Sequence, residues 1–140
     1  MRKYYYRRVI TIIFFKEHFV NLNYMTAISI IVATYNRLSY LKDCIASLKA
    51  LEYGGEYEII IINDGSTDGT REYLDELAGG NMRVIHNPEN RGISFTRNAG
   101  IREARYGIIA ITDDDCLVSK DWLKELAGGF KDDGVGFVIG

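Results

Sequence analysis

Proline, cysteine and histidine are scarce in this chain of 140 residues. It contains one proline, two cysteines and two histidines. A zinc centre would need more cysteine and histidine, and Cys44 and Cys116 form no CxxC pair. The two cysteines therefore predict free thiols in a reducing compartment. One proline together with a hydrophobic fraction of 47% predicts a compact domain with a real core, not a disordered or linker-rich chain.

An excess of charge of either sign is also absent. Lysine and arginine number 17 against 19 aspartates and glutamates, a formal net charge of -2, so nucleic-acid binding gains no support. No GxxxxGK[ST] sequence is present, which excludes a P-loop, and no GxGxxG follows the first apolar run. The two histidines lie outside any recognisable nucleophile motif.

Long hydrophobic runs are missing as well. In the basic, aromatic segment 1–24, the apolar stretch from Val9 to Phe15 is far shorter than the roughly 20 residues that cross a bilayer. No small-residue cleavage site follows it, as a signal peptide would require. Peripheral contact with an anionic membrane surface is one interpretation. We prefer the other, an N-terminal extension that contributes little, with the domain proper at residues 25–140 and Met25 as a second plausible start.

After residue 25, short apolar runs alternate with stretches of helical periodicity. Continuous apolar runs indicate strands buried on both faces, and alternation with helices indicates βαβ units. We therefore predict an α/β fold, a mainly parallel sheet in an α/β/α sandwich. The predicted strands are Ile28 to Ala33, Glu58 to Asn63, Met82 to His86, Ile108 to Thr112 and Gly136 to Ile139. The predicted helices are 38–51, 66–78 with Ser66 or Thr67 as cap, 93–105, and one containing Trp122, Leu123, Leu126 and Phe130.

Polar residues follow three of these strands. In open parallel sheets, ligands bind beyond the carboxyl ends of the strands. Thr34 to Arg37 follow the first strand, Asp64 to Ser66 the second, and Asp113 to Asp115 the fourth. We expect these three segments to meet at one edge of the sheet.

Three consecutive aspartates, Asp113 to Asp115, repel one another unless a cation compensates. Mg²⁺ and Mn²⁺ prefer oxygen ligands and are commonly held by one or two carboxylates together with substrate phosphates. One carboxylate could bind the metal while a neighbour accepts a hydrogen bond from a sugar hydroxyl. The alternative is a solvated acidic loop that caps the next helix. The position directly after a buried strand favours the metal site.

Two further motifs have both a structural and a functional interpretation. In NDGSTDGT, Asn63 to Thr70, the glycines permit a tight turn, and Asp64 could accept a hydrogen bond from a base or a ribose. In NRGISFTRNAG, Asn90 to Gly100, Gly92 allows close backbone approach, and Arg91 and Arg97 could face phosphates. A capped turn and an ordinary helix start explain the same residues, and the sequence leaves both interpretations open.

In order and spacing, these motifs resemble those of the inverting glycosyltransferases of family 2, which have the GT-A fold. SIIVATYNR, Ser29 to Arg37, is similar to that family's opening strand and loop, and IIINDGSTDGT, Ile60 to Thr70, to its nucleotide turn. NRGISFTRNAGIREARYGIIAITDDDC, Asn90 to Cys116, resembles its central helix and DxD motif. The resemblance runs from about Met25 to the end of the chain.

The resemblance implies a nucleotide-sugar donor, most readily a UDP-sugar, bound through Mg²⁺ or Mn²⁺. The metal would stabilise the charge that develops on the leaving nucleoside diphosphate. The acceptor is not indicated. The implied roles are base contact for Asp64, nucleotide-pocket lining for Thr34, Tyr35 and Arg37, base or diphosphate contact for Arg97, ribose and metal approach for Asp113 and Asp114, and main metal ligand for Asp115.

The chain departs from the family in one respect. There, a carboxylate well downstream of DxD acts as general base, and Asp121, Asp132 and Asp133 come too soon to replace it. We therefore expect a truncated GT-A domain that carries the donor-binding half and lacks the base, with an incomplete sheet edge that favours homo-oligomers.

Two alternatives to the enzyme interpretation follow. A non-catalytic nucleotide-binding module, or a subunit that needs a partner, would use the same pocket. A sugar nucleotidyltransferase ranks last, since ATYNRLSY stands where a glycine-rich loop is needed. The expected location is the cytoplasm or the cytoplasmic face of the membrane.

Overall fold

The computed structural model describes residues 12–15 and 26–129. Strands and helices alternate in the predicted order from residue 28 onward. Phe130 and the strand expected at Gly136 to Ile139 lie outside the described residues. The elements are β1 Ile12–Phe15, β2 Ile28–Thr34, α1 Leu38–Lys49, β3 Tyr57–Asn63, α2 Thr70–Leu77, β4 Met82–His86, α3 Ile93–Glu103, β5 Ile108–Asp113 and α4 Trp122–Gly128.

The five strands form one sheet in the order β1-β5-β2-β3-β4. The last four are mutually parallel, which confirms the predicted α/β fold with a mainly parallel sheet. Strand β1 pairs antiparallel with β5, from Ile12 opposite Ile111 to Phe15 opposite Ile108. This strand is not among the predicted ones, because a short apolar run between charged segments gives little signal without its pairing partner.

Both faces of the sheet are covered. Every residue of β2 is buried, and successive side chains point to opposite faces. Ile30 and Ile61 belong to a core formed with α1, α2 and α4. Ile31 and Ile62 belong to a second core on the side of α3. A Cβ atom on Gly100 would lie 2.7 Å from both Ile31 and Ile62, so α3 packs very closely on the sheet.

The end of the sheet where β2, β3 and β5 finish carries the polar segments. Thr34 lies opposite Asn63, and Ala33 lies opposite Asp113. Because these strands are parallel and in register, the segments that follow them emerge side by side, as the sequence predicted.

The other end of the sheet is held by a buried carboxylate, Glu58 of β3. It accepts hydrogen bonds from the Ser29 hydroxyl at 2.7 Å, the Arg105 backbone N–H at 2.7 Å and the Arg83 guanidinium at 3.2 Å. Burial alone would raise the pKa of Glu58, but these hydrogen bonds outweigh it and hold the pKa below its usual value. The segment after α3 is thereby fixed to β3.

Candidate functional site

The segments after β2 and β3 are joined by Asn36. It has a positive φ of 50°, which asparagine tolerates better than most residues. Its backbone N–H donates to the Ser66 hydroxyl at 2.9 Å, and its side-chain oxygen accepts the Thr67 N–H at 2.7 Å. These bonds hold the two segments together at one wall of the site.

Asp68 joins the first turns of two helices. Its carboxylate accepts the Leu38 N–H at 3.0 Å in α1, and the Thr70 N–H at 3.2 Å and hydroxyl at 2.6 Å in α2. The prediction that Ser66 or Thr67 caps α2 was wrong. The helix begins at Thr70, and an aspartate two residues earlier satisfies its first amide.

Asp64 holds the segment that leads into α3. It is 4% exposed and accepts hydrogen bonds from the Asn87 amide at 2.7 Å and from the backbone N–H groups of Arg91 at 3.0 Å and Gly92 at 2.9 Å. Burial alone would raise the pKa of Asp64, but the bonds from Asn87, Arg91 and Gly92 outweigh it and lower the pKa. Its contact with a base stays a prediction.

A test at acidic pH follows from this lowered pKa. Ionised Asp64 should stabilise the folded chain fully above its unfolded pKa, near 3.8, and lose that contribution as the pH falls through the lower folded value. We expect the gap in free energy of unfolding between wild type and Asp64→Asn to shrink from about pH 6 to about pH 3 in urea titrations. A gap independent of pH would contradict the lowered pKa.

The three consecutive aspartates have different environments. Asp113 pairs with Arg97, Nη2 to Oδ1 at 2.5 Å. Asp114 is buried, where its carboxylate accepts the Thr34 hydroxyl at 2.8 Å and pairs with Arg37 at 3.2 Å. Burial raises the pKa of Asp114 against the opposing effects of Thr34 and Arg37. Its predicted approach to ribose and metal stays a prediction, since in this structure it anchors Thr34 and Arg37.

Asp115 pairs with the second guanidinium nitrogen of Arg37 at 2.8 Å. Two arginines therefore balance most of the charge of the three aspartates. Asp113, Asp115 and Cys116 each offer one ligand atom, and these atoms lie within 4.8 Å of one another. Two carboxylate oxygens suit Mg²⁺ or Mn²⁺, and the thiol of Cys116, which is not among the predicted metal ligands, is a softer third ligand.

A cavity of about 410 Å³ lies between these segments. Seven residues line it that the resemblance assigns to the nucleotide-sugar site: Thr34, Tyr35, Arg37, Asp64, Arg97, Asp113 and Asp114. Their role in binding stays a prediction. Among the residues described, Asp115 does not line the cavity, although its partner Arg37 does. Asn90, Ile93 and Thr96 also lie in the wall, and they are not among the site residues predicted from the sequence. Helical spacing from Gly92 could have indicated Thr96, whose hydroxyl donates to the Gly92 carbonyl at 2.9 Å.

Within the described ranges 12–15 and 26–129, no helix has both the length and the apolar character needed to span a membrane. Cys44 and Cys116 are free thiols, as predicted, and both are buried.

A model of the family Glycosyl transferase family 2 matches residues 29–140. The chain belongs to this family. Among its family 2 relatives, EpsH of Bacillus subtilis, named as a glycosyltransferase, is 37% identical over 102 residues, 71% of this chain and 29% of EpsH. Poly-beta-1,6-N-acetyl-D-glucosamine synthase of Staphylococcus aureus is 32% identical over 131 residues, 93% of this chain and 32% of the synthase.

Solved structures of glycosyltransferases share the GT-A fold of this family 2 chain. TarS of Staphylococcus aureus, residues 1–349 with UDP-GlcNAc, superposes with a TM-score of 0.68 at 27% identity, over 75% of this chain and 31% of that one. The mannosyltransferase PcManGT of Pyrobaculum calidifontis, in complex with GDP-Man and Mn²⁺, superposes with a TM-score of 0.70 at 24% identity. The match covers 83% of this chain and 35% of PcManGT. The chain spans about a third of the relatives it matches.

Proposed function

We propose that this family 2 domain binds a nucleoside diphosphate sugar, with a UDP-sugar as the first candidate, through Mg²⁺ or Mn²⁺. The observation that carries the proposal is that Asp113, Arg37 and Arg97 line one cavity, and that a second carboxylate, Asp115, pairs with Arg37. Asp113 and Asp115 offer oxygen ligands, while Arg37 and Arg97 offer charges that suit a diphosphate. The UDP-GlcNAc complex of TarS, at 27% identity, supports the choice of nucleotide.

The reaction we propose is sugar transfer with inversion. Departure of the nucleoside diphosphate places negative charge on the phosphate oxygens, and a bound divalent ion would neutralise part of it. Arg37 and Arg97 would donate hydrogen bonds to the same oxygens. Asp64 would keep the Arg91–Gly92 backbone in place beside the nucleotide.

We place the general base outside this cavity. Asp113 and Asp115 are assigned to the ion, and Asp114 accepts the Thr34 hydroxyl and the Arg37 guanidinium. Asp64 is engaged by three donors. The acceptor hydroxyl would thus be activated by a carboxylate from another region. Free thiols at Cys44 and Cys116 fit a cytoplasmic setting, while membrane contact through residues 1–24 and self-association stay predictions.

The proposal is tested by titrating the purified chain with UDP by calorimetry, with Mn²⁺ or with EDTA. We expect binding with Mn²⁺ about 100-fold tighter or better than with EDTA, because the carboxylates would hold an ion that attracts the diphosphate. GDP and ADP serve as competing nucleotides. If none of the three nucleotides, UDP, GDP and ADP, binds in a Mn²⁺-dependent way, the proposed binding of a nucleoside diphosphate sugar is contradicted.

A donor hydrolysis and transfer assay on the same protein distinguishes a catalytic domain from one that only binds the donor. Binding without turnover supports a donor-binding role and keeps the alternative of a non-catalytic module. Turnover by this chain alone would contradict the expectation that these 140 residues lack the general base.

A further inference from the structure

Two arginines in the cavity wall hold the carboxylates that suit a metal. Arg37 contacts Asp115 at 2.8 Å, and Arg97 contacts Asp113 at 2.5 Å. Both arginines line the cavity. The guanidinium groups therefore compete with a divalent ion for the same oxygens, and they also face the space where a diphosphate would lie.

The placement of Arg37 makes this competition direct. The Asp115 side chain is 13% exposed and the Arg37 side chain 40%. Arg37 belongs to the cavity wall, whereas Asp115, within the described part of the chain, does not. An ion shared by Asp115 and a diphosphate in the cavity would require the guanidinium of Arg37 to move aside. Arg37 directly precedes α1 and also pairs with Asp114 at 3.2 Å, so its guanidinium would leave both Asp114 and Asp115 when it moves.

Arg97 is held less completely than its short contact suggests. Its Nη2 donates to Asp113, but its Nε is buried and has no hydrogen-bond partner among the described residues. A buried donor without a partner carries a desolvation penalty. Moving this guanidinium onto phosphate oxygens would therefore not break a fully satisfied arrangement.

The charges of the cluster point the same way. Three aspartates and two arginines leave one net negative charge, so a divalent ion added alone would make the cluster positive. A negatively charged diphosphate that binds the arginines compensates this positive charge. Each ligand therefore makes binding of the other more favourable.

We propose that Arg37 and Arg97 are exchangeable counter-ions of Asp115 and Asp113. They pair with these carboxylates until a nucleoside diphosphate takes up the guanidinium groups, which releases the carboxylates to the divalent ion. Metal and nucleotide then increase each other's affinity by the same factor. This inference rests on the proposed function and adds the residues that couple its two ligands.

The experiment measures the affinity of Mn²⁺ from the electron paramagnetic resonance signal of the free ion, with and without saturating UDP. In wild type, UDP should strengthen Mn²⁺ binding. In Arg97→Gln, Mn²⁺ alone should bind about fivefold more tightly or better, and the strengthening by UDP should shrink by a similar factor. Arg37→Gln should change the Mn²⁺ affinity and its strengthening by UDP at least as much, because Arg37 lines the cavity and its partner Asp115, among the residues described, does not.

Arg71→Gln is the matched control. It removes the same charge from an exposed position in α2 that does not line the cavity, and both quantities should stay at the wild-type values. Circular dichroism reports whether each variant is folded. If Arg37→Gln fails to fold, Arg97→Gln decides alone.

Permanent counter-ions give a different result. Loss of a fixed positive charge would strengthen Mn²⁺ binding equally with and without UDP, so that the strengthening by UDP stays at its wild-type value. That outcome, or Mn²⁺ binding that is unchanged or weaker in Arg97→Gln, overturns the exchange while leaving the proposed function standing. Failure of every protein to bind Mn²⁺ in the presence of UDP overturns both.

Discussion

Replacing Asp115 with asparagine is expected to weaken UDP binding in the presence of Mn²⁺ by about 100-fold. The substitution keeps the size of the side chain but removes the charge of the expected main metal ligand. Changes even to groups that support metal ligands cost about 10- to 100-fold in metal affinity, so loss of a ligand should reach the upper end. Calorimetric titration with UDP and Mn²⁺ measures the effect.

The control for this substitution is Asp121→Asn. Asp121 pairs with Lys124 at 2.8 Å at the start of α4, and it is not among the cavity residues. Its replacement should leave UDP binding unchanged. In EDTA, Asp115→Asn should bind UDP no more weakly than wild type, because neither protein then has a bound Mn²⁺ that contributes to UDP affinity. Wild-type affinity of Asp115→Asn with Mn²⁺ would contradict the metal site.

The largest expected effect on stability is that of Gly65→Ala. Gly65 has a φ of 74°, and an added Cβ would lie 2.5 Å from the carbonyl carbon and 2.7 Å from the Cα of Glu89, and 2.8 Å from the backbone nitrogen of Asn90. All three are backbone atoms, so relief requires the whole 87–92 segment to move. We expect a loss of about 3 kcal/mol or more in the free energy of unfolding by urea, together with weakened UDP binding.

Gly80→Ala separates the two causes in this prediction. Gly80 also has a positive φ, 59°, but among the described residues no atom lies within 4 Å of its added Cβ. It should therefore show only the backbone term, about 1 kcal/mol. Equal losses in the two variants would mean that the contact with Glu89 and Asn90 contributes nothing.

The central strands were predictable because their environment is uniform. Ile59 to Ile62 are buried on both faces of the sheet, and such strands require continuous apolar side chains. Strand β1 was not predictable in the same way, since Ile12–Phe15 becomes a strand through its pairing with β5. The sequence of a short apolar segment does not specify the strand with which it will pair.

The meeting of the polar segments at one end of the sheet was predictable, but the separate environments of their residues were not. Asp113, Asp114 and Asp115 are chemically identical in the sequence, and their differences arise from Thr34 and the arginines that the fold brings to them. Asp68 lies within the NDGSTDGT turn, yet it accepts an N–H from Leu38, 30 positions earlier. Contacts at such separation depend on strand register, which local patterns do not specify.

Two buried acids, Glu58 in β3 and Asp64 directly after that strand, set a length for α3. Glu58 accepts the Arg105 N–H, and Asp64, six residues further along the chain, accepts the Gly92 N–H. Six residues of strand span about 20 Å. The thirteen positions from Gly92 to Arg105 span about 20 Å at the rise of a helix. The strand and the helix thus have equal lengths between these two hydrogen bonds. Insertion or deletion of one residue in α3 would break one of them, either Gly92 to Asp64 or Arg105 to Glu58.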